Sequence, residues 1–371
     1  MIPTPPDLFD EWFRLPVVTE RVDPRFEVRR AKPEEFDHVY DVVDAAFGKR
    51  RPRAHFEWIY RENPLGRARC WIVVERASGS ILKTGAGFPW PIWRGVESLK
   101  GTLSGDSCTV PAWQRKGLAA VRRAFTRKHP WYEEFCGIAG PNEGSRIVTV
   151  KAGEGDELLG ALRGGVMPLR ARSLLDRVGI PPILARPIGA VADPVLSVWR
   201  DLAARGGRNA SGTLERIGRF TTDFDDVTER CMSWPKFWSP HNADFLNWRY
   251  LDHPVESYVG LALVEHERPT AYAVLCLERD KATLAEFCVA AAPRASSLKL
   301  LAGAIGVARD AGCGSINFFG PPGWRHWNLF RRAGFLPYRT TNHLEAFGKR
   351  FEPEVFDIRN WQVTPGDRDF R

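Results

Sequence analysis

Val110-Pro111-Ala112-Trp113-Gln114-Arg115-Lys116-Gly117-Leu118-Ala119 is the stretch on which the fold turns. It follows a strand-like run, Thr102 to Val110, and leads into Leu118, Val121 and Phe125, spaced i, i+3, i+7 as on one face of a helix. A helix is therefore expected to start near Gly117, entered through a turn. The first turn of a helix has N–H groups without intrahelical acceptors, and its dipole is positive there. The turn is thus a ready anion site. Gly117 allows close approach to the backbone, Ala119 keeps the next turn small, and Arg115 and Lys116 add positive charge. A pyrophosphate would fit. A basic turn that merely caps a helix is the alternative reading of the same residues.

Working outward, Phe26 to Arg30 reads as a short strand. Pro33 and Glu34-Glu35 open an amphipathic helix with Phe36, Val39, Val43, Ala46 and Phe47 on one side. Trp71 to Glu75 and Ile81 to Phe88 are apolar runs joined by Ser78-Gly79-Ser80, a hairpin signal. Phe135 to Ala139 predicts a buried strand, and a helix over about Gly144 to Val150 follows, ending at Gly153. Residues 164–213 read as a linker, with Gly164-Gly165, Pro181-Pro182, Pro187, Pro194 and Gly206-Gly207, and with a helix between Pro194 and Ala204.

Beyond the linker the landmarks return. Trp58, Tyr60, Pro64 and Glu75 recur as Trp248, Tyr250, Pro254 and Glu265, 190 residues on. Asp106, Cys108 and Gly140-Pro141 recur as Glu286, Cys288 and Gly320-Pro321 at an offset of 180. Lys151-Ala152-Gly153 matches Arg332-Ala333-Gly334 at 181. An ordered series of this kind predicts two copies of one unit of roughly 130 residues. Strands are expected over Tyr258 to Glu265, Ala271 to Glu278, Thr283 to Ala290 and Ile316 to Phe319. Helices are expected around Leu298 to Ala308 and Trp327 to Ala333. Hairpin-paired strands mixed with helices imply an α+β layer fold in each copy.

Composition sets bounds. The 371 residues are 44% hydrophobic and 26% charged, with 14 Trp and a net charge of +8, as in a globular protein with its own cores. Lys and Arg are spread along the chain, so the basic excess points to an anionic small ligand rather than to nucleic acid. The seven Cys include no C-x-x-C pair, which argues against zinc and for reduced, buried thiols in a cytoplasm. Met1 to Trp12 has no apolar run, and no stretch nears ~20 apolar residues, so neither leader nor membrane span is expected.

Gln114-x-x-Gly117-x-Ala119, on a strand–turn–helix and preceded by Val110-Pro111, resembles the acetyl-CoA pyrophosphate loop of the GNAT N-acetyltransferases. Gly140-Pro141-Asn142, followed eleven residues on by Gly153, resembles the Asn and helix after that family's fifth strand. The resemblance covers about 26–173 and, through the repeat, 214–350. It implies two tandem GNAT-like domains, each a mixed, mostly antiparallel sheet with flanking helices. The division would be an extension 1–25, a cofactor-binding domain 26–173, a connector 174–213, a degenerate domain 214–350 and a tail 351–371. The activity implied is N-acetyl transfer from acetyl-CoA to a small-molecule amine, in the acyltransferase class EC 2.3.1. By the same resemblance the backbone of Thr109 and Val110 would hold the pantetheine and acetyl group. The amides of Arg115, Lys116, Gly117, Leu118 and Ala119, after Gln114, would hold the pyrophosphate, and Asn142 would lie beside the thiol arm.

The second copy reads Ala291-Ala292-Pro293-Arg294-Ala295-Ser296-Ser297-Leu298 at the loop, without Gly, so only the first copy is expected to bind the donor. The second would serve as scaffold, as dimer surface (a homodimer is compatible) or as one wall of the acceptor pocket. An amine must lose a proton on acylation, and Asp106 is the carboxylate on the strand leading to the loop, either a base or a structural hydrogen-bond acceptor. The position where the family often carries an acidic Tyr falls on Thr149, with Phe330 in the second copy, and a Thr hydroxyl is a poor proton donor. Cys108 reads as a packing thiol, given its partner Cys288. The pairs Trp58/Trp248 and Tyr60/Tyr250 would pack the first helices against the sheet, or else stack on an acceptor ring. Two functions stay open beside acetyl transfer: an acyl-CoA-binding module without chemistry, and transfer of a longer acyl group.

Overall fold

The computed structural model describes residues 23–128, 135–151, 157–177, 179–207, 210–230, 236–289, 294–348 and 353–368. Twelve strands matter: β1 (Phe26–Arg30), β2 (Arg69–Glu75), β3 (Ile81–Pro89), β4 (Glu97–Thr109), β5 (Phe135–Ala139), β6 (Leu158–Pro168), β7 (Thr213–Ile217), β8 (Ser257–Glu265), β9 (Arg268–Leu277), β10 (Lys281–Val289), β11 (Ser315–Gly320) and β12 (Leu336–Phe347). The helices are α1 (Phe36–Phe47), α2 (Arg53–Tyr60), α3 (Leu118–Lys128), α4 (Glu143–Lys151), α5 (Ala171–Arg177), α6 (Pro182–Ala204), α7 (Asp223–Arg230), α8 (Ala243–Leu246), α9 (Arg294–Asp310) and α10 (Trp327–Arg332). This is a mixed α/β structure around a mostly antiparallel sheet.

The strands form one continuous sheet in the order β1-β2-β3-β4-β5-β12-β6-β11-β10-β9-β8-β7. Each half runs through three antiparallel pairings and then a parallel one, β4 with β5 and β10 with β11. At the centre the halves exchange strands. Residues 158–168 pair with β11 of the second half, residues 336–347 pair with β5 of the first, and the two pair with each other. The linker reading of 164–213 is corrected here. Gly164 and Gly165 lie inside β6, where a Cβ on Gly164 would strike Tyr338 and Thr340 of the neighbouring strand. Glycine serves close approach at this point, not a turn. The expected helix between Pro194 and Ala204 also grows, because α6 runs through Pro187 and Pro194. Both prolines are exposed, so water can serve the carbonyls that they leave without donors.

Each half is packed on both faces. In the first, Phe36, Val39, Tyr40 and Val43 of α1 and Phe56 and Ile59 of α2 cover one face, while Leu118 and Phe125 of α3 cover the other with Phe26, Val28, Val73 and Leu82. Gly48, at φ 62, ends α1 in the left-handed conformation that favours glycine. In the second half, α9 takes the place of α3 through Leu298, Leu301 and Ala304, and α7 and α8 cover the opposite face with Phe224, Val227 and Leu246.

The halves meet on an aromatic pair. Trp58 and Trp248 stack at 4.7 Å between centroids and 20° between planes. Each indole N–H donates to the other's backbone carbonyl, at 2.9 and 3.3 Å. These tryptophans are therefore mutual packing partners, and stacking on an acceptor ring is set aside. A small second sheet also ties distant parts together: Ile92–Arg94 pairs with Phe237–Trp238, which pairs with Trp361–Gln362.

Candidate active site

The parallel pairing of β4 with β5 covers Lys100–Ser104 and Phe135–Ala139 and then stops. Beyond it the strands part, and β4 has a bulge against β3 where Asp106 takes a left-handed φ of 45°. A cleft of about 250 Å³ opens there, lined by Ser104 to Ser107 of β4, Arg122, Arg123 and Thr126 of α3, Ala139 at the end of β5, and Gly140 to Asn142 after it. Glu345 and Phe347 of β12 close one side, with the Phe347 ring lying over Gly137. The second half thus contributes a wall of the first half's cleft.

Asp106 is 5% exposed and lines this cleft. Its Oδ1 accepts from Arg51 Nη1 at 3.1 Å and its Oδ2 from Tyr60 Oη at 2.9 Å. Burial, with the Asp106 charge next to it, pushes the Tyr60 phenol well above its ordinary value, so Tyr60 is a neutral donor. The second half repeats the device with one change. Tyr250 Oη donates to Glu286 Oε1 at 2.5 Å, and His241 Nδ1 lies 2.9 Å from the same oxygen. Arg51 and His241 are 190 residues apart, as are Tyr60 and Tyr250. Sequence reading missed Arg51 and His241, because a search for identical landmarks passes over a cation that changes type.

The loop has the geometry of an anion-binding turn. Arg115 and Gly117 both take left-handed φ, 63° and 84°, and α3 begins at Leu118. Conformations of this kind turn successive amides toward one side. A Cβ on Gly117 would meet no protein atom within 4 Å, so the glycine faces open space. Lys116 Nζ sits over the Trp113 ring at 4.5 Å, Gln114 Nε2 donates to Thr109 O at 3.3 Å, and Leu118 anchors the turn in the core. Thr109 ends β4 beside the gap. Val110 differs from expectation, because its N–H donates to Leu82 O and its carbonyl accepts from Trp113 N. Its N–H and carbonyl are both used within the protein, whereas residues 105–109 have no β5 partner among the described residues. Asn142 lines the cleft, and its Oδ1 caps α4 by accepting from Ser145 N at 2.9 Å.

Thr149 is fully buried, donates to Ser145 O and accepts from Arg123 Nη1, so it does not face the cleft. Arg123 also reaches Glu345 Oε1 at 3.5 Å, across to β12. Burial, with Asp106 close by, pushes the Cys108 thiol up to about 12, and its Sγ–H points to Val42 O, as a packing thiol would. Lys83, behind β4, donates to Cys108 O at 3.4 Å, and burial with Arg122 and Arg123 nearby brings it down to about 7. Among the described residues no cluster of His, Cys, Asp or Glu could hold a metal ion, and no helix is long and apolar enough to cross a membrane.

In the second half the equivalent gap is filled by the chain itself. Pro365–Asp367 lies against β10 and β11, with Gly366 close to Tyr250 Oη and Glu286 Oε1. Thr364 Oγ1 donates to Glu286 at 3.1 Å, and Asp367 Oδ1 binds His241 Nε2 at 3.0 Å and Trp90 Nε1 at 2.9 Å. Burial alone would lower the basicity of His241; Glu286 and Asp367 override it and raise the imidazole to about 10. Next to the filling segment, Arg368 lies over the Phe319 ring at 5.3 Å and donates to Gly140 O at 3.4 Å, at the lip of the first cleft. The second-copy loop residues 291–293, and Gly153 and Cys231, fall outside the described residues.

No family model matches the sequence, and no curated protein matches it. Solved structures do. A conserved protein of unknown function from Enterococcus faecalis V583, a probable N-acyltransferase, is similar at TM-score 0.61 and 11% identity over 89% of this chain and 74% of its own. N-myristoyltransferase of Saccharomyces cerevisiae with bound myristoyl-CoA and inhibitors is similar at TM-score 0.57 and 12% identity, over 91% of this chain and 82% of its own. A GCN5-related N-acetyltransferase from Anabaena variabilis ATCC 29413 is similar at TM-score 0.60 and 10% identity, over 87% and 72%. A sheet that parts between β4 and β5 beside a glycine loop, together with these likenesses, gives the chain the fold of the GNAT N-acyltransferases.

Proposed function

We propose that this protein is a CoA-dependent acyltransferase that acylates a small amine in the cleft between β4 and β5. The observation that carries the reading is the parting of these strands beside the 114–119 turn. The amides of residues 115–119 would hold the donor's pyrophosphate, and the edge of β4 at 105–109 would hold the pantetheine, with Asn142 beside it. In the reaction the amine nitrogen attacks the thioester carbonyl, a C–N bond forms and the C–S bond breaks. One N–H proton leaves toward Asp106, directly or through water, and CoA departs as a thiolate. A neutral nucleophile is required, and CoA thiolate leaves without obligatory help from an acid, which is consistent with a buried Thr149. Polar groups dominate the cleft, which favours a short acyl group such as acetyl. The filled second gap supports one donor site per chain.

Thr149 also motivates a second reading, binding of acyl-CoA without transfer. One experiment separates them: incubation of the full chain with acetyl-CoA and an amine library, reading free thiol. Thiol release above the no-amine control supports transfer; binding without release supports the second reading. For the donor site, Gly117→Val should weaken CoA binding at least tenfold, about 1.4 kcal/mol. No protein atom opposes a side chain there, but a φ of 84° strains a β-branched residue, so circular dichroism and melting of the variant are read alongside the affinity. Unchanged affinity in the folded variant would place the donor elsewhere.

A further inference from the structure

We propose that the outward face of α6 is the contact between two copies of this chain. Leu184, Ile188, Val191, Val195 and Val198 follow one another by four, three, four and three residues. That 3.5-residue period sets them in a single seam along a helix, as in helix pairs that pack knobs into holes. The seam is bare. Val191 is 77% exposed, Val195 68%, Val198 60% and Leu184 53%, and Ile183 beside them is 81% exposed.

The other side of the helix is held. Asp193 Oδ1 accepts from Ala171 N at 2.6 Å, and α6 packs on α5 and reaches α9. The element is therefore fixed to the body with this apolar seam outward. Together the five seam side chains offer on the order of 550 Å² per copy, at the upper end of the ~300–600 Å² of a typical monomer's largest apolar patch. Two such faces would bury ~1,100 Å² at most, the size of a weak, concentration-dependent contact.

Charge selects the occupant. Between Ile183 and Val198 the sequence has two charged residues, Arg186 and Asp193, and Asp193 is turned to Ala171. A helix lying in a lipid interface carries a polar face rich in Lys and Arg, and this segment has none of that enrichment. An uncharged, β-branched seam is complementary to itself and meets no like-charge repulsion when a two-fold axis lays it against its own copy. Pro187 and Pro194 remove backbone donors within the helix, so the contact is short and centred near Val191 rather than a long supercoil. This inference is independent of the activity proposed above.

Sedimentation velocity of the full chain between 1 and 100 µM tests it. The expected result is a concentration-dependent dimer. Val191→Asp and Val195→Asp should weaken it at least 100-fold while far-UV circular dichroism and melting stay as in the wild type, since both side chains are exposed. Val191→Ala, a milder change, should weaken it by a smaller factor and guards against a misfolded charged variant. A wild type that stays monomeric at 100 µM overturns the proposal. So does a dimer that survives the aspartate variants. Pelleting of monomeric wild type with phosphatidylserine-containing vesicles, abolished by the same variants, would overturn it in favour of a lipid surface.

Discussion

His241→Leu tests the buried charge network that fills the second half's gap. His241 is 2% exposed and lies between Glu286 Oε1 at 2.9 Å and Asp367 Oδ1 at 3.0 Å. Its ring also stacks on Phe245 at 4.6 Å between centroids. The folded imidazole titrates at about 10 against 6.5 for the ordinary group. At about 1.4 kcal/mol per pKa unit this linkage is worth at most roughly 5 kcal/mol. Removing one partner of a buried ionic group costs on the order of 3–5 kcal/mol. The two bounds agree, so the variant should lose about that much at pH 7. The folded pKa is the raised one. The contribution is therefore complete below pH 6.5 and disappears as pH rises through 10. Urea unfolding followed by tryptophan fluorescence at several pH values from 6 to 10 provides the assay. The gap between wild type and variant should be widest at pH 6–7 and narrow toward pH 10. His241→Gln, which keeps a hydrogen-bonding side chain without the charge, should lose the same pH dependence if the leucine variant fails to fold. A gap under 1 kcal/mol at pH 7, or one that is constant to pH 10, would refute the reasoning.

Other expected outcomes follow from the same contacts. Asp106→Asn should lower kcat/KM by ~100-fold or more while CoA still binds, and the loss should shrink at higher pH, where more amine is already neutral; full activity would assign Asp106 to holding Arg51 and Tyr60 only. Trp58→Ala removes the stack on Trp248 and the hydrogen bond from the Trp58 indole to Trp248 O, leaving the Trp58 carbonyl to accept from Trp248, and should cost about 3–5 kcal/mol in chemical denaturation; a loss below 1 kcal/mol would mean that the junction between the halves is held elsewhere. Burial pushes the Cys108 and Cys136 thiols up to about 12, so both should resist a thiol reagent in the native protein and react on unfolding; mass mapping of rapid native labelling at either site would contradict their burial.

Much of the local structure was legible in the residues. The loop from Val110 to Ala119, the helix from Leu118 and the hairpin of β2 and β3 follow from periods of 3.6 and 2 and from turn chemistry, which are properties of neighbouring residues. So does the order of β1, α1, β2 to β4, α3, β5 and α4 in the first half and of β8 to α10 in the second, whereas α2, β6, β7 and β12 do not. The recurring Trp, Tyr and carboxylate positions marked residues that the structure uses alike in both halves: Tyr60 on Asp106, Tyr250 on Glu286.

Tertiary structure decided what depends on distant partners. Gly164-Gly165 looks like a linker because glycine's own preference is for turns; only Tyr338 and Thr340, more than 170 residues away, make it a strand that crosses into the other half. The exchange of β6 and β12 leaves no local signal, since either edge of a strand presents the same backbone donors and acceptors. Arg51 and His241 became partners of Asp106 and Glu286 through folding alone, as different cations meeting the same need of a buried carboxylate. The closing segment Thr364-Pro365-Gly366-Asp367 carries no motif; its place follows from Gly366, small enough to pass beside Tyr250, and from Asp367, which completes the charge around His241. A pattern along the chain specifies which face of an element is apolar, but the choice of which distant surface covers it is made by shape and charge that only the assembled fold brings together.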